Sequence, residues 1–269
     1  MVPRLLIITG TSGVGKSTLA SKLASSLDFG KVAATDTIRE VLRTQFSPSD
    51  RPALHRSSFE SAGGTAAEDW IETVEAVSEG LQAVIGRALE KGSDLLIEGV
   101  HVVPGKMAID TWREAGGLAT GVVLFVEDEG VHEVMIANRE KHNGKRVEHY
   151  LGNMDRIRSI QEEMLDLGSN SDWVMIDQIA DAEGAETIEG RLGNYRPTHS
   201  ASERLRKAVT PISLSSVSNN ATNSDLSMST PSENGRSRAA LTALLAALVV
   251  NGDLRAISCA SPMVMASSS

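Results

Sequence analysis

The chain has 269 residues, of which 41% are hydrophobic and 23% are charged, and its net charge at pH 7 is −9. This composition is typical of a soluble globular protein with enough apolar residues for a full core, and the length allows one or two domains. The negative charge argues against broad attraction to nucleic acid or to an anionic membrane. The single cysteine, Cys259, excludes an intramolecular disulfide and a cysteine-rich zinc module, and it is consistent with a reducing compartment.

Membrane-spanning and secretory segments are not predicted. No stretch reaches the roughly 18 consecutive apolar residues that a membrane-spanning helix requires. The first residues do not have the form of a signal peptide, because their apolar run, Leu5 to Ile8, is followed at once by a glycine-rich turn. We therefore expect a cytoplasmic protein that binds neither nucleic acid nor membrane. The sequence leaves its oligomeric state open.

Strand-like and helix-like segments alternate over the first 199 residues, and this alternation predicts an α/β fold with a five-stranded, mainly parallel sheet. Several strand segments are continuous apolar runs, as expected when helices cover both faces of a sheet. The predicted strands are Arg4–Thr9, Val32–Thr35, Asp94–Glu98, Thr120–Val126 and Asp172–Ile176. The predicted helices are Lys16–Leu27, Asp36–Gln45, Ala66–Lys91, Lys106–Ala115, Gly130–Glu140 and Tyr150–Leu167.

The composition changes near residue 199, which predicts the end of the folded domain. The last aromatic residue is Tyr195, and the residues from Ser200 onward include 16 serines and carry a net charge of +2. We predict a folded domain over 1–198 and a serine-rich, low-complexity tail over 199–269, which is disordered or partly helical because it offers little apolar surface to offset its ordering entropy. Its candidate helix, at 238–250, either docks on the body or on a second copy, or belongs to an unstructured extension.

A phosphate-binding motif follows the first predicted strand. Residues 10–17 read GTSGVGKS and match the pattern G-x-x-x-x-G-K-[ST] between a strand and a helix, which is the context the motif requires. The glycines allow successive backbone N–H groups to turn toward a phosphate, and the following helix adds its positive N-terminal end. We expect Lys16 to reach the β and γ phosphates of a nucleotide and Ser17 to bind Mg²⁺. The predicted nucleotide-binding residues are Gly10, Thr11, Ser12, Gly13, Val14, Gly15, Lys16, Ser17 and Thr18.

Two carboxylates follow predicted strands at the edge of the sheet where ligands gather. Asp36 ends the second strand and Glu98 ends the third. Phosphoryl transfer uses one carboxylate to orient or deprotonate the acceptor hydroxyl and another to help hold hydrated Mg²⁺. We assign Asp36 to the acceptor and Glu98 to the metal, although the two roles could be exchanged, and Asp36 could also cap its helix. Arg39, one turn beyond Asp36, either clamps an anionic substrate or forms surface ion pairs.

Positive charge is concentrated at residues 138–150, NREKHNGKRVEHY, in an otherwise acidic domain. A loop that closes over the phosphates can bring arginines to the charge that develops during transfer, and it can exclude water. We predict that Arg139 and Arg146 are catalytic, together with Lys16 and Asp36. The alternative is a solvent-exposed run of charge between two helices.

The phosphate motif alone does not distinguish a motor, a GTPase and a small-molecule kinase. The sequence has no Asn-Lys-x-Asp motif for reading guanine, and it is short for an energy-coupling ATPase. A compact kinase that uses a nucleoside triphosphate is therefore the simplest interpretation.

Several segments together resemble the archaeal-type 2-phosphoglycerate kinases, a family of P-loop small-molecule kinases. These segments are GTSGVGKST at the phosphate loop, TDTIREVLR at 35–43, LHRSSFESA at 54–62, IEGVHVVPG at 97–105, and the arginine-containing segment followed by Tyr150 and IRSIQ at 157–161. They cover roughly residues 4 to 180. The combination is much more specific than the phosphate loop alone.

The resemblance implies the three-layer α/β sandwich of P-loop NTPases and an activity that uses ATP and Mg²⁺. The implied reaction is phosphorylation of the 3-hydroxyl of 2-phosphoglycerate, which gives 2,3-bisphosphoglycerate. By position, the resemblance places His55, Arg56, Ser57 and Ser58 in an acceptor loop and His101 just past the third strand; with Arg39 these are the predicted substrate-binding residues. A kinase for another small-molecule hydroxyl (a nucleoside, sugar acid or antibiotic) and a non-catalytic nucleotide-dependent switch are the alternatives.

Overall fold

The computed structural model describes residues 2–143, 147–178 and 184–192, and strands and helices alternate along these ranges. The strands are β1 (Arg4–Thr9), β2 (Val32–Ala34), β3 (Leu95–Glu98), β4 (Leu118–Phe125) and β5 (Val174–Asp177). The α-helices are α1 (Lys16–Ser26), α2 (Thr35–Arg43), α3 (Ala66–Glu90), α4 (Met107–Glu114), α5 (Glu129–Asn143), α6 (Val147–Leu151), α7 (Met154–Asn170) and α8 (Gly184–Arg191). A short 3-10 helix at Pro52–His55 lies between α2 and α3.

The five strands form one parallel sheet in the order β2-β3-β1-β4-β5. β1 is central, and the chain crosses from one side of it to the other between β3 and β4, so the ligand crevice is expected at the carboxyl end of β1. The register pairs Glu98, the last residue of β3, with Ile8 of β1 and with Ala34 of β2. The residues that follow these three strands therefore begin at the same edge of the sheet.

Helices cover both faces of this sheet, which confirms the predicted three-layer sandwich. Leu6 and Ile8 of β1 belong to a buried cluster that includes Leu19 and Leu23 of α1 and residues of β4, β5 and α8. Leu5 and Ile7 point to the opposite face and are also buried, so that face is covered as well. Burial on both faces explains why β1 reads as a continuous apolar run.

The structure differs from the predicted elements in the region of the predicted helix Tyr150–Leu167. This helix is two helices, α6 and α7, and Gly152 and Asn153 separate them. The apolar pattern continues across the break, so periodicity alone does not reveal it. The short 3-10 helix and α8 were not predicted. The predicted boundary at 198/199 and the candidate helix at 238–250 lie outside the described residues.

None of the helices within the described ranges combines the length and the apolar character needed to cross a membrane.

Two glycines provide a test of the packing. A Cβ on Gly121 of β4 would lie 2.1 Å from the ring of Trp173, whose indole N–H donates to the Gly105 carbonyl. We therefore expect Gly121→Ala to lower the free energy of unfolding by about 1–3 kcal/mol through overpacking. A Cβ on Gly86 of α3 would meet no atom within 4 Å, so Gly86→Ala should raise stability by about 0.5–1 kcal/mol.

Urea unfolding of the two variants and the wild type measures both changes. Equal shifts in the same direction would contradict this packing.

Candidate active site

The phosphate loop connects β1 to α1, and its backbone requires glycine. Gly13 has φ +92°, a left-handed conformation that residues with a side chain rarely adopt. A Cβ on Gly13 would lie 2.3 Å from Cγ1 of Ile136 on α5, and a Cβ on Gly10 would lie 2.2 Å from the Leu124 carbonyl oxygen. The loop is therefore packed tightly between β4 and α5, and glycine is needed here for conformation and for space.

Lys16, the first residue of α1, folds back over the loop. Its Nζ donates a hydrogen bond to the Thr11 carbonyl at 2.7 Å. Burial lowers the pKa of Lys16 to about 8, while the carboxylates of Glu98 and Asp36 oppose this shift. Lys16 is thus mostly charged at neutral pH although it has lost much of its hydration. The buried Thr11 hydroxyl has no hydrogen-bond partner among the described residues, and it lies in the loop that the motif assigns to phosphate.

The predicted metal residues lie next to each other. The Ser17 hydroxyl donates to Oε1 of Glu98 at 3.1 Å. Glu98 is nearly buried, and burial raises its pKa, while Lys16 and the Ser17 hydrogen bond act in the opposite direction. One hydroxyl and one carboxylate suit Mg²⁺, which usually takes one or two protein ligands and completes its shell with phosphates and water. Within the described ranges there is no cluster of three or more His, Cys, Asp or Glu that would form a cage for a metal.

Asp36 lies in the first turn of α2, near the metal pair. Its side chain makes no capping bond, because the N-cap is Ala34, so the capping role considered for Asp36 is not observed. The side chain is 71% exposed, and its Oδ1 is 3.7 Å from Nδ1 of His101. An exposed carboxylate beside the phosphate loop is accessible to an acceptor hydroxyl.

His101 is completely buried, so it does not face solvent as an open binding residue would. Its Nδ1 is 3.1 Å from the Thr35 hydroxyl, and its Nε2 has no partner in the described parts of the chain. Burial lowers the pKa of His101 to about 4, although Asp36 raises it. The ring is therefore neutral at pH 7, and its approach to Asp36 is not an ion pair.

The predicted acceptor loop brings two arginines together. Nη1 of Arg39 donates to the Arg56 carbonyl at 3.3 Å, and Arg56 pairs with Glu72 at 2.6 Å. The Arg39 and Arg56 side chains are only 18% and 13% exposed. His55, in contrast, contacts the Phe46 carbonyl through Nε2 at 3.0 Å. Two partly desolvated guanidinium groups therefore lie here, one on α2 and one in the loop, and each has a protein partner. His55 is engaged in the internal structure of the loop.

The two serines of the loop also contribute to its structure. The Ser57 amide donates to Oε2 of Glu60 at 2.5 Å, and Ser58 is buried. Ser57 and Ser58 thus belong to a turn that hydrogen bonds between Ser57 and Glu60 close.

Of the two arginines predicted to close over the phosphates, Arg139 lies on α5, and Arg146 lies outside the described residues. Nε of Arg139 donates to Oε1 of the buried Glu140 at 2.6 Å, and its guanidinium carbon lies 4.9 Å from the centre of the Tyr150 ring. The charge of Arg139 contributes to the lowered pKa of Lys16. Arg139 is thus electrostatically coupled to the phosphate loop.

An ion pair that the sequence analysis did not find fixes the acceptor loop over residues 59–65, between its serines and α3. Nη2 of Arg156 on α7 contacts Oδ2 of Asp69 at 2.5 Å, and Asp69 is 2% exposed. Asp69 also accepts bonds from the amides of Ala62 and Gly64, while Nε of Arg156 donates to the Phe59 carbonyl at 2.8 Å. Burial acts to raise the pKa of Asp69, but these hydrogen bonds and the Arg156 charge hold it below its usual value.

An aromatic contact connects the same loop to α6. The Phe59 ring lies 5.2 Å from Tyr150 and 5.3 Å from His149, centre to centre. Nε2 of His149 lies 3.3 Å from Oε1 of Glu60. Because the Arg139 guanidinium also lies against the Tyr150 ring, α5 and α6 share this set of contacts with the acceptor loop.

The phosphate loop at the end of the central strand, with the adjoining Lys16 and the Ser17–Glu98 pair, defines a P-loop NTPase. Residues 6–163 match the family model described as AAA domain. The chain belongs to that family.

Curated relatives confirm the resemblance to archaeal 2-phosphoglycerate kinases. The chain is 32% identical over 172 residues to the 2-phosphoglycerate kinase of Pyrococcus furiosus, covering 61% of this chain and 55% of that protein. It is 36% identical over 141 residues to the protein of the same name from Methanothermobacter thermautotrophicus, covering 49% and 45%. The chain therefore spans about half the length of these two archaeal proteins. A solved sugar kinase from Janibacter sp. HTCC2649 aligns with 17% identity and a TM-score of 0.45 over 73% of this chain and 99% of that one.

The Arg156–Asp69 pair predicts a large effect on stability. Arg156→Leu leaves the buried Asp69 carboxylate without its cation, so we expect the free energy of unfolding to fall by about 3–5 kcal/mol. The control is Arg87→Leu, because Arg87 and its partner Glu90 are 65% and 68% exposed and such a pair contributes at most about 1 kcal/mol. Urea unfolding compares the two variants, and similar losses in both would contradict the assigned role of the buried pair.

Proposed function

We propose that this protein is an ATP- and Mg²⁺-dependent kinase that phosphorylates the 3-hydroxyl of 2-phosphoglycerate to give 2,3-bisphosphoglycerate. One observation carries the proposal: the phosphate loop with Lys16, the Ser17–Glu98 pair and the exposed Asp36 meet at one sheet edge, while Arg39 reaches from α2 to the acceptor loop. This arrangement would place a bound nucleotide close to the guanidinium groups that we assign to the acceptor. The similarity to proteins named 2-phosphoglycerate kinase supports the choice of acceptor.

The donor half of the site would bind the triphosphate. The loop amides and Lys16 would contact the β and γ phosphates, with Nζ exchanging the Thr11 carbonyl for phosphate oxygens. The partial loss of hydration of Lys16 strengthens such a contact, because attraction between charges grows as the local dielectric falls. Ser17 and Glu98 would hold Mg²⁺, which neutralises charge on the phosphates when it is bound.

The acceptor half would orient the hydroxyl for attack. Asp36 would accept the proton of the 3-hydroxyl as the new O–P bond forms and the bond from the γ phosphorus to ADP breaks. The acceptor carries a carboxylate and a phosphate, and Arg39 and Arg56 provide two guanidinium groups for them. Arginine suits both groups because its planar donors match the spacing of their oxygens.

The direct test is phosphorus NMR of the protein incubated with ATP, Mg²⁺ and 2-phosphoglycerate. We expect the signals of 2,3-bisphosphoglycerate and ADP. The control acceptor is 3-phosphoglycerate, which presents its free hydroxyl at the other carbon and should react far more slowly. We expect Lys16→Ala to abolish turnover while its circular dichroism spectrum stays that of the wild type.

Formation of ADP without 2,3-bisphosphoglycerate would reject the acceptor. Turnover at the wild-type rate in Lys16→Ala would reject the role of the lysine. A panel with a nucleoside and sugar acids, followed by ADP release, would then identify a different acceptor hydroxyl.

The lowered pKa of Lys16 predicts pH-dependent nucleotide binding. Its value of about 8 in the free protein should rise when phosphates bind, because their charge stabilises the ammonium form. Between these two pKa values, binding takes up a proton, so affinity should fall as the pH rises above about 8, by up to about tenfold per unit. Calorimetry at about pH 8.5, in buffers of different ionisation enthalpy, measures this uptake.

Lys16→Arg is the matched control, because arginine stays charged throughout this range. It should bind Mg²⁺-ATP without proton uptake. The same uptake in both proteins would show that another group titrates.

A further inference from the structure

A histidine on α5, His132, is hydrogen-bonded to the backbone of the phosphate loop. His132 is completely buried, and its Nε2 lies 2.8 Å from the Ser12 carbonyl oxygen. A carbonyl oxygen only accepts hydrogen bonds, so Nε2 carries the hydrogen in this contact. Nδ1 of His132 is buried and has no partner within the residues described. The geometry therefore selects the tautomer with hydrogen on Nε2.

The ring is neutral under ordinary conditions. Burial, together with the nearby charges of Arg158, Lys16 and Arg139, lowers the pKa of His132 to about 4, although the bond to Ser12 acts in the opposite direction. At neutral pH only one ring nitrogen carries hydrogen. The bond to Ser12 therefore fixes the ring in one orientation and one tautomer.

This bond also fixes the next amide of the loop. In a trans peptide the C=O and N–H groups point in opposite directions, and no cis peptide occurs among the described residues. With the Ser12 carbonyl turned toward α5, the Gly13 N–H points away from α5. A flipped peptide would exchange these directions and turn a carbonyl dipole toward the side that must receive an anion.

The packing leaves little room for another arrangement. A Cβ on Gly13 would lie 2.3 Å from Cγ1 of Ile136 and 3.2 Å from Nε2 of His132. Ile136 is one helical turn beyond His132 on α5, so both residues lie on one face of that helix. The face contacts the loop through a hydrogen bond and through van der Waals packing.

We propose that His132 is a positioning residue of the nucleotide site: it holds the Ser12 carbonyl so that the Gly13 amide stays oriented to donate to a nucleotide phosphate. This role rests on the nucleotide-binding half of the proposed function, and it does not depend on the identity of the acceptor. His132 acts through the loop backbone and does not touch the reacting atoms.

Two substitutions separate the hydrogen bond from the packing. His132→Leu fills a similar volume but has no donor, and His132→Gln retains an N–H donor at a similar reach. We expect the dissociation constant of Mg²⁺-ATP, measured by calorimetry without acceptor, to rise by about 5- to 100-fold in His132→Leu, because the Ser12 carbonyl loses its partner. In His132→Gln it should stay within about threefold of the wild type if the new amide replaces the bond.

A purely structural role would weaken binding in both variants in proportion to their loss of stability, and this result would overturn the proposal. Wild-type affinity in His132→Leu would also overturn it. Urea unfolding provides the stability values for the comparison.

A second measurement needs no variant. Nitrogen NMR of the wild-type protein identifies the tautomer of His132: hydrogen on Nε2 supports the proposal, and hydrogen on Nδ1 overturns it.

Failure of the role proposed for His132 is distinguishable from failure of the proposed function. A wild-type protein that binds Mg²⁺-ATP but does not phosphorylate 2-phosphoglycerate rejects only the acceptor, whereas one that binds no Mg²⁺-ATP overturns the role of His132 as well.

Discussion

The candidate site depends on a partly desolvated ammonium group held at the end of the central strand. Burial alone would favour neutral Lys16, and the carboxylates of Glu98 and Asp36 keep it largely charged. The sheet register makes this possible, because Glu98 pairs with Ile8 on one side and with Ala34 on the other. Three chain segments therefore deliver a cation and two carboxylates to one place. The order of the strands, more than any single loop, sets the charge balance of the site.

Much of the fold and the donor half of the site can be predicted from the sequence because their signals are local. Continuous apolar runs mark buried strands such as β1, and the glycines of the phosphate motif indicate the conformation of its loop. The break between α6 and α7 was missed because the apolar pattern continues through Gly152 and Asn153. Short-range patterns thus locate elements well and their interruptions poorly.

The contacts that position the site join distant residues, so no spacing rule could find them. Arg156 and Asp69 are 87 residues apart, and His132 and Ser12 are 120 apart. The structure brings Lys16, Ser17, Glu98 and Asp36 together as their positions after the strands suggested. It directs His55 into the internal structure of its loop and buries His101. Catalytic and substrate-binding roles for these residues stay predictions.

The hydrogen bonds that fix the acceptor loop leave its side chains free to vary in evolution. Asp69 accepts from the amides of Ala62 and Gly64, and Arg156 donates to carbonyls between Phe59 and Thr65. These bonds involve main-chain atoms of the loop, so its side chains can be substituted without loss of the bonds. Substitution of these side chains would therefore change the chemical groups that the loop presents and leave its backbone and the phosphate loop unchanged.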